Sequence, residues 1–440
     1  AEMARVVQPD GFAYLALRNR FSLSRSRATP PATVTGLRRV AVITALRRHG
    51  FRTLRVYPLV LDQELVTDVL INGGYRSVRN SFRFTERSKE LLLRPPLASF
   101  LAPAVAIVAH RRPAEPSGLQ QLLVETAPHL GELPNATRPL SVERYQISHG
   151  KAVVTLRVPG GGRQRFVALM PLREDSSRRQ REEIAILRQL HAKQLQVSRC
   201  VPKPLSEGRV QTRPFHLQTA IDGIAIDLPF TQMASITRQA AEALTQFHRE
   251  TRREAVLDGE QLTRLVRDPI RRVVEKLGSE SDEPSRRIAE RIETAWHGRR
   301  VPLVWCHGDY KLENVLFRRH DLKLCGIIDW DLSQPRSLPL LDLVYLVGYN
   351  HRIRTGMRIE EFTRNLLLTE RLEPFDRELI DAYIAALGLD SATVALLRGL
   401  FWIYHLAFRI QLMPGLPRFR EELMATLHVT REYYESRGIS

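Results

Sequence analysis

Three residues in one stretch of this chain carry side-chain oxygens at a spacing that chemistry can use. Within Leu303–Leu332 (LVWCHGDYKLENVLFRRHDLKLCGIIDWDL), Asp309 follows His307-Gly308, Asn314 stands five positions after Asp309, and Asp329 closes the apolar run Ile327-Ile328. Moving a phosphoryl group needs little covalent chemistry. It needs a carboxylate near the attacking hydroxyl and oxygen ligands for the Mg²⁺ that neutralises charge between phosphates. Mg²⁺ is a hard cation that takes carboxylate and amide oxygens, a few from protein and the rest from nucleotide and water. An Asp, an Asn and a second Asp supply such a set.

The elements that must position these residues lie beside them. Leu303–Cys306 reads as a short buried strand, and His307-Gly308-Asp309 as the loop leaving it. Val315-Leu316-Phe317 and Leu322–Trp330 read as two further strands, split by the polar turn Arg318–Asp321. A loop followed by a hairpin would bring Asp329 back beside Asn314.

The interval Asp309-Tyr310-Lys311-Leu312-Glu313-Asn314 followed by a later Asp has the form of the protein-kinase catalytic signature. His-Gly-Asp in place of His-Arg-Asp, with Ile-Asp-Trp-Asp in place of Asp-Phe-Gly, resembles the aminoglycoside phosphotransferase and choline-kinase branch of the kinase-like fold. The resemblance runs from about Val142 to the C-terminus. It implies an α+β, two-lobed fold and transfer of the γ-phosphate of ATP or GTP to a hydroxyl of a small molecule. It assigns Asp309 as the base, Asn314 and Asp329 as Mg²⁺ ligands, His307 as a brace of the loop, and Lys311 as a cation for the moving phosphoryl group.

Residues 141–230 are expected to form the nucleotide-side lobe. Val142–Val158 alternates as a strand pair broken at Ser148-His149-Gly150-Lys151, and Arg165–Pro171 follows as a third strand after Pro159-Gly160-Gly161-Gly162. Ser148 and Lys151 could face phosphate, though the loop holds a single Gly and also reads as an ordinary hairpin turn. The family places a phosphate-clamping Lys on the third strand, paired with a helix Glu. Here that Lys position falls on Leu169 or Met170, and the Glu on Glu183 or its neighbour Glu182. Glu183 without its Lys would be only a solvated charge. Arg173, Lys151 or Lys311 could substitute from another direction. Leu217–Ile226 resembles the connection between lobes that meets the adenine, with Gly223 at its turn.

Residues 231–440 read as the helical lobe. Ser235 is the expected N-cap of a helix with Ile236, Ala240, Leu244 and Phe247 on one face. Further helices are expected at Leu262–Leu277, Ser285–Trp296, Ile359–Leu368, Phe375–Leu387, Ser391–Ile410 and Arg418–Glu435. The resemblance makes His248 structural, and Asp342 in Pro339-Leu340-Leu341-Asp342-Leu343 an acceptor that braces the catalytic loop. Between His351 and Arg364 stand Arg352, Arg354, Arg358 and Arg364 against Glu360 and Glu361, a balance that points to a neutral or anionic hydroxylated acceptor.

Residues 1–112 show the order strand (Phe12–Leu17), helix (Val34–His49), strand (Phe51–Leu61), long insertion, strand (Ala104–Ala109), opened by Gln8-Pro9-Asp10-Gly11-Phe12. This resembles the C-terminal part of a class I S-adenosylmethionine-dependent methyltransferase, a partial Rossmann-like α/β domain whose cofactor motif would lie upstream of Ala1. Asn19-Arg20 reads as a solvated loop pair. Residues 113–140, with Pro113, Pro116, Gly118, Pro128, Gly131, Pro134 and Pro139, read as a linker.

Bulk properties bound these readings. A chain of 440 residues can bury two or three cores, and 43% hydrophobic with 26% charged residues is ordinary for a globular protein. No apolar run reaches spanning length, Leu97–Ala109 being too short and interrupted by Pro103. Three cysteines at unrelated positions argue for a reducing, cytoplasmic setting. The net charge of +18 is spread from end to end without a basic block or interleaved aromatics, which argues against nucleic-acid binding. Two other classes stay open: a nucleotide-binding pseudokinase module, and an accessory domain of a methyltransferase.

Overall fold

Residues 12–18, 39–48, 53–59, 104–110, 122, 126 and most of 141–438 are described in the computed structural model, with breaks at 149–150, 159–164, 173, 211–212, 227–231, 278–282, 358, 370 and 413–418. They belong to two units, Ala1–Gln180 with Pro204–Ala220, and Arg181–Lys203 with Ile221–Ser440. The chain passes between these units three times, after Gln180, Lys203 and Ala220. Asn19-Arg20, His149-Gly150, Pro159–Gly162 and Arg173 lie outside the described residues.

The first unit holds two sheets. Strands β1 (Phe12–Arg18), β2 (Thr53–Leu59) and β3 (Ala104–His110) pair in the order β1-β3-β2, with β3 antiparallel to both neighbours. Helix α1 (Arg39–Arg48) buries Val42 and Leu46, one turn apart on the same face. The expected strand–helix–strand–insertion–strand order is present. Its membership of a methyltransferase domain is taken up under Proposed function.

The second sheet runs β4-β5-β6-β8-β7, every neighbouring pair antiparallel: β4 (Ser141–Ser148), β5 (Lys151–Arg157), β6 (Arg165–Pro171), β7 (Pro204–Val210) and β8 (Arg213–Thr219). Alternation along β5 sends Ala152, Val154 and Leu156 into a core shared with Phe166, Ala168, Met170, Phe215 and Leu217. Leu122 is fully buried in that same core, and Thr126 Oγ1 donates to Leu122 O at 2.7 Å on a helical turn. Leu122 thus gives residues 113–140 a side chain in that core. Pro and Gly density reports turns, but an apolar residue between them can still be captured by a neighbouring sheet.

The second unit is mostly helical. Helix α2 (Glu174–Ala192) sends Ile186, Leu187 and Leu190 into its core, which is why the helix divides between the units. Helix α3 (Met233–Thr251) buries Ile236, Ala240, Leu244 and Phe247 as expected. Its N-cap is Gln232, not Ser235, which sits exposed within the first turn; tertiary burial of Met233 extends the helix past the local capping signal.

Next come β9 (Arg253–Val256), a short helix α4 (Gly259–Leu262) running through a π-turn (Thr263–Arg267) into α5 (Asp268–Leu277), and α6 (Glu283–Trp296). Strand β10 (Arg300–Cys306) lies between β9 and β13 (Gln334–Ser337), and β11 (Val315–Phe317) pairs with β12 (Leu324–Ile327) as a hairpin. Helices α7 (Leu341–Thr355), α8 (Ile359–Arg364), α9 (Pro374–Leu387), α10 (Ser391–Leu412) and α11 (Phe419–Ser436) complete the unit.

Ser391–Phe408 has the length and apolarity of a membrane-crossing segment, which corrects the expectation that no run reaches that length. Most of it is buried inside the fold, where Leu397, Leu400, Phe401, Trp402 and Leu406 join the core. A helix apolar on most sides is what a large helical core requires.

Candidate active site

Strand β10 is buried from Val301 to Cys306, and it delivers the loop His307-Gly308-Asp309 at a fixed point. Two backbone N–H groups of that loop donate to one carboxylate: His307 N to Asp342 Oδ2 at 2.6 Å, and Gly308 N to Asp342 Oδ1 at 3.0 Å. Asp342 stands in the first turn of α7 and is 3% exposed. Burial opposes its charge, but His248 and His307, together with the His307 N–H, outweigh burial and hold the carboxyl below its ordinary value.

His248 is itself oriented. The Leu340 N–H donates to the Tyr383 hydroxyl at 3.0 Å, so that hydroxyl donates onward to His248 Nδ1 at 2.6 Å. The imidazole proton then lies on Nε2, 3.6 Å from Asp342 Oδ2. His248 is fully buried, which agrees with the structural role the resemblance implied.

His307 ties the loop to the end of β12. Its Nδ1 accepts from the Asp309 N–H at 3.3 Å, which leaves Nε2–H to donate to Ile328 O at 3.0 Å. A second tie, Ile328 N to Asn314 O at 2.9 Å, extends the β11–β12 pairing up to Asp329. Trp330 packs on the His307 ring at 4.6 Å and donates through Nε1 to Ile327 O at 2.9 Å. Between these anchors Asp329 adopts φ +67°, a left-handed conformation that Asp tolerates better than most residues and that recurs at functional sites.

The side chains converge on Asp309. Asn314 Nδ2 donates to Asp309 O at 2.9 Å and to Asp309 Oδ2 at 3.0 Å, which turns the Asn314 amide oxygen away from that carboxylate. Lys311 Nζ sits 2.9 Å from Asp309 Oδ2 and 3.7 Å from Glu313 Oε2. Burial works against the Lys311 charge, but Asp309 foremost, then Glu313 and Asp329, hold the ammonium above its ordinary value. Asp329 is therefore near enough for its charge to be felt at Lys311.

Gly308 is held at φ +88°, and a Cβ there would lie 2.3 Å from Leu332 O. Both the conformation and the contact exclude a side chain. Gly308→Ala should cost about 1–3 kcal/mol from the backbone conformation alone, read as a fall in melting temperature. An unchanged melt would show that the loop relaxes freely.

The residues expected on the nucleotide side are placed as follows. Ser148 and Lys151 pair across the end of the β4–β5 hairpin, in the first unit. Leu169 and Met170 are 5% and 2% exposed, and Leu169 O accepts from Gln180 Nε2 at 2.8 Å, so apolar burial occupies the family's Lys position. Glu183 is 3% exposed while Glu182 is exposed. The expectation of a solvated Glu183 is corrected: the apolar stripe of α2 turns that position inward. Gly223 lies where a Cβ would meet Cys325 Sγ and Leu316 Cβ, each at 2.8 Å, beside the Ile224–Phe317 bridge. Packing on the β11–β12 hairpin is sufficient reason for Gly there.

Sequence reasoning did not single out Tyr345 and Tyr349 of α7. Tyr349 donates to Glu313 Oε1 at 2.8 Å, and Lys311 Nζ stands 5.7 Å from the Tyr349 ring centre. Burial first, then the Asp309 carboxylate, raises the Tyr345 hydroxyl above its ordinary value. The available signal was the spacing Asp342, Tyr345, Tyr349, which puts all three on one helix face.

A loop Asp and Asn tied to a hairpin-end Asp, and braced from the following helix, fit a small-molecule kinase of the kinase-like fold. The chain belongs to the phosphotransferase enzyme family, which matches residues 144–393, more than half of its length. Similar solved structures include a candidate aminoglycoside phosphotransferase from Ralstonia eutropha JMP134 (16% identity, 72% of this chain and 98% of that chain, TM-score 0.48). Another is the aminoglycoside phosphotransferase APH(3'')-Id from Streptomyces rimosus with ADP and streptomycin (16% identity, 65% and 92%, TM-score 0.36). A third is the macrolide 2'-phosphotransferase MphH from Brachybacterium faecium (18% identity, 70% and 97%, TM-score 0.42). No curated protein matches the chain.

Proposed function

We propose that the protein transfers the γ-phosphate of ATP or GTP to a hydroxyl of a small molecule, with Asp309 orienting or deprotonating that hydroxyl. The observation that carries this reading is the Asp309 carboxylate held at 3.0 Å by Asn314 and at 2.9 Å by Lys311 on a doubly braced loop. Asn314 and Asp329 would hold Mg²⁺. An amide oxygen and a carboxylate, on backbones joined by the Ile328 N–Asn314 O bond, are the hard oxygen donors that cation takes. When bound, Mg²⁺ supplies neutralising charge between the phosphates. Lys311 supplies a positive charge at the carboxylate that faces the transferring group. His307 keeps the loop and the Asp329 strand in one arrangement. Ser148, Lys151, Glu183 and Gly223 are the candidate nucleotide contacts that the resemblance implies, each within its own unit.

The acceptor reading is a neutral or anionic hydroxylated molecule. Asp309 and Glu313, the acidic groups beside the reacting position, are already paired with Lys311. Arg352 stands 5.9 Å from the Tyr349 ring centre, while Arg354 is taken up by Glu373 at 3.0 Å and Asp376 at 3.2 Å. A polycation would have to displace resident positive charge.

The test is release or transfer of label from γ-labelled ATP and GTP, with Mg²⁺ and with a chelator, beside a nucleotide titration. Mg²⁺-dependent turnover is expected. Binding without turnover would favour the pseudokinase reading, whose specific support is buried Leu169 and Met170 where a clamping Lys is expected. No binding at all would end both. For residues 1–112, the antiparallel β2–β3 pair supports the methyltransferase-like reading, in which the terminal strands pair this way.

A further inference from the structure

Helix α7 ends in two arginines with different surroundings. Arg354 is paired with Glu373 at 3.0 Å and Asp376 at 3.2 Å. Arg352 is exposed and has no carboxylate partner among the described residues. Its guanidinium stands 5.9 Å from the centre of the Tyr349 ring. A basic side chain in the last turn of a helix favours the helix dipole, and either arginine serves that purpose. Only Arg352 keeps its donors for a ligand.

Tyr349 connects Arg352 to the loop that holds Asp309. Its half-buried ring is fixed by the bond from its hydroxyl to Glu313 Oε1 at 2.8 Å. Lys311 Nζ stands 5.7 Å from the same ring centre and 2.9 Å from Asp309 Oδ2. Tyr345 and His405 of α10 are also half-buried and continue the aromatic surface, with ring centres 6.0 Å from Tyr349 to Tyr345 and 5.5 Å from Tyr345 to His405. Outward from Asp309 there follow a cation, an aromatic face and a second cation. Ligand sites pair such aromatic walls with a few placed polar groups.

The two cations differ in what they can still do. Lys311 is already engaged by Asp309 and, at 3.7 Å, by Glu313. Arg352 offers a planar fork of N–H donors that matches a carboxylate or a phosphate. We infer that Arg352 is a specificity-determining residue that takes the oxyanion of an anionic polyhydroxylated acceptor, a sugar acid or a sugar phosphate, whose carbon skeleton lies along Tyr349 while one hydroxyl reaches Asp309. That hydroxyl oxygen bonds the γ-phosphorus, its proton passes to Asp309, and the nucleoside diphosphate leaves with the electrons of the broken P–O bond. The inference rests on the phosphotransferase reading and narrows its acceptor to the anionic class.

The test uses the full chain, Mg²⁺ and γ-labelled ATP or GTP with four hexose probes: glucose, glucosamine, glucuronate and glucose 6-phosphate. Transfer to glucuronate or to glucose 6-phosphate should exceed transfer to glucose and glucosamine by about tenfold or more in kcat/KM, the scale of one charge-assisted hydrogen bond. Whichever acid is preferred identifies the oxyanion. Arg352→Gln should remove that preference, Arg352→Glu should turn it toward glucosamine, and rising salt should shrink it in the wild type, because Arg352 faces solvent. Equal rates on all four probes, or a preference for the acids that survives both substitutions, would overturn the inference. Release of label to water in the same assays would then leave the phosphotransferase reading standing. A wild-type protein that passes label neither to water nor to any probe would sink both.

Discussion

Asp309→Asn should reduce phosphoryl transfer by about 10²–10⁴-fold, the usual contribution of a positioned base, with ATP binding retained. The amide keeps the shape of the carboxylate and one acceptor oxygen for Asn314 Nδ2, so the loop has no steric reason to move. What it loses is the capacity to take a proton and the charge opposite Lys311. Glu313 at 3.7 Å and the nearby Asp329 still compensate that ammonium, which keeps the melting temperature within a few degrees. Label transfer and a thermal melt on the same preparation separate the two effects. Retained turnover would remove Asp309 from the role given to it.

Asp342→Asn should be costly to the fold. The carboxylate accepts two buried N–H groups at 2.6 and 3.0 Å and faces the His248 ring at 3.6 Å. An amide can satisfy only one of those N–H groups and turns its own NH₂ toward the other. Leaving buried donors without an acceptor, and removing the charge beside His248, should cost about 2–4 kcal/mol and lower the melting temperature by about 5–10 °C.

The pH dependence follows from the same carboxyl. Its folded pKa lies below the ordinary value, so its contribution is present above the unfolded pKa of about 3.9 and is lost as pH falls through the lower folded value. The gap in melting temperature between wild type and Asp342→Asn should therefore narrow as pH is lowered from 7 toward 3. A gap that stays constant would mean that the charge of Asp342 contributes nothing.

Much of the architecture was legible beforehand, because it is written in local periodicity. The β5 and β6 strands, the β11–β12 hairpin, and helices α3, α6, α9 and α11 follow from period-2 or period-3.6 patterns, each set by residues close in sequence. The second hairpin strand ended earlier than expected, at Ile327 instead of Trp330, because Asp329 turns into the left-handed region. Ser235 carried a capping signal that Met233 overrode by burial, a contest that no local rule can decide.

What the chain by itself determined is the candidate set: an Asp, an Asn five positions on, and an Asp where a hairpin ends, since those separations are short enough for one loop and one turn to close. What only the tertiary structure decided is who else faces that set. Tyr383 reaches His248 from 135 positions away, and the bond of Tyr349 to Glu313 depends on where α7 lies against the loop. The burial of Glu183 depends likewise on which face of α2 meets the core. Such contacts are set by packing through space, where neighbours in sequence carry no information about which distant side chain will arrive.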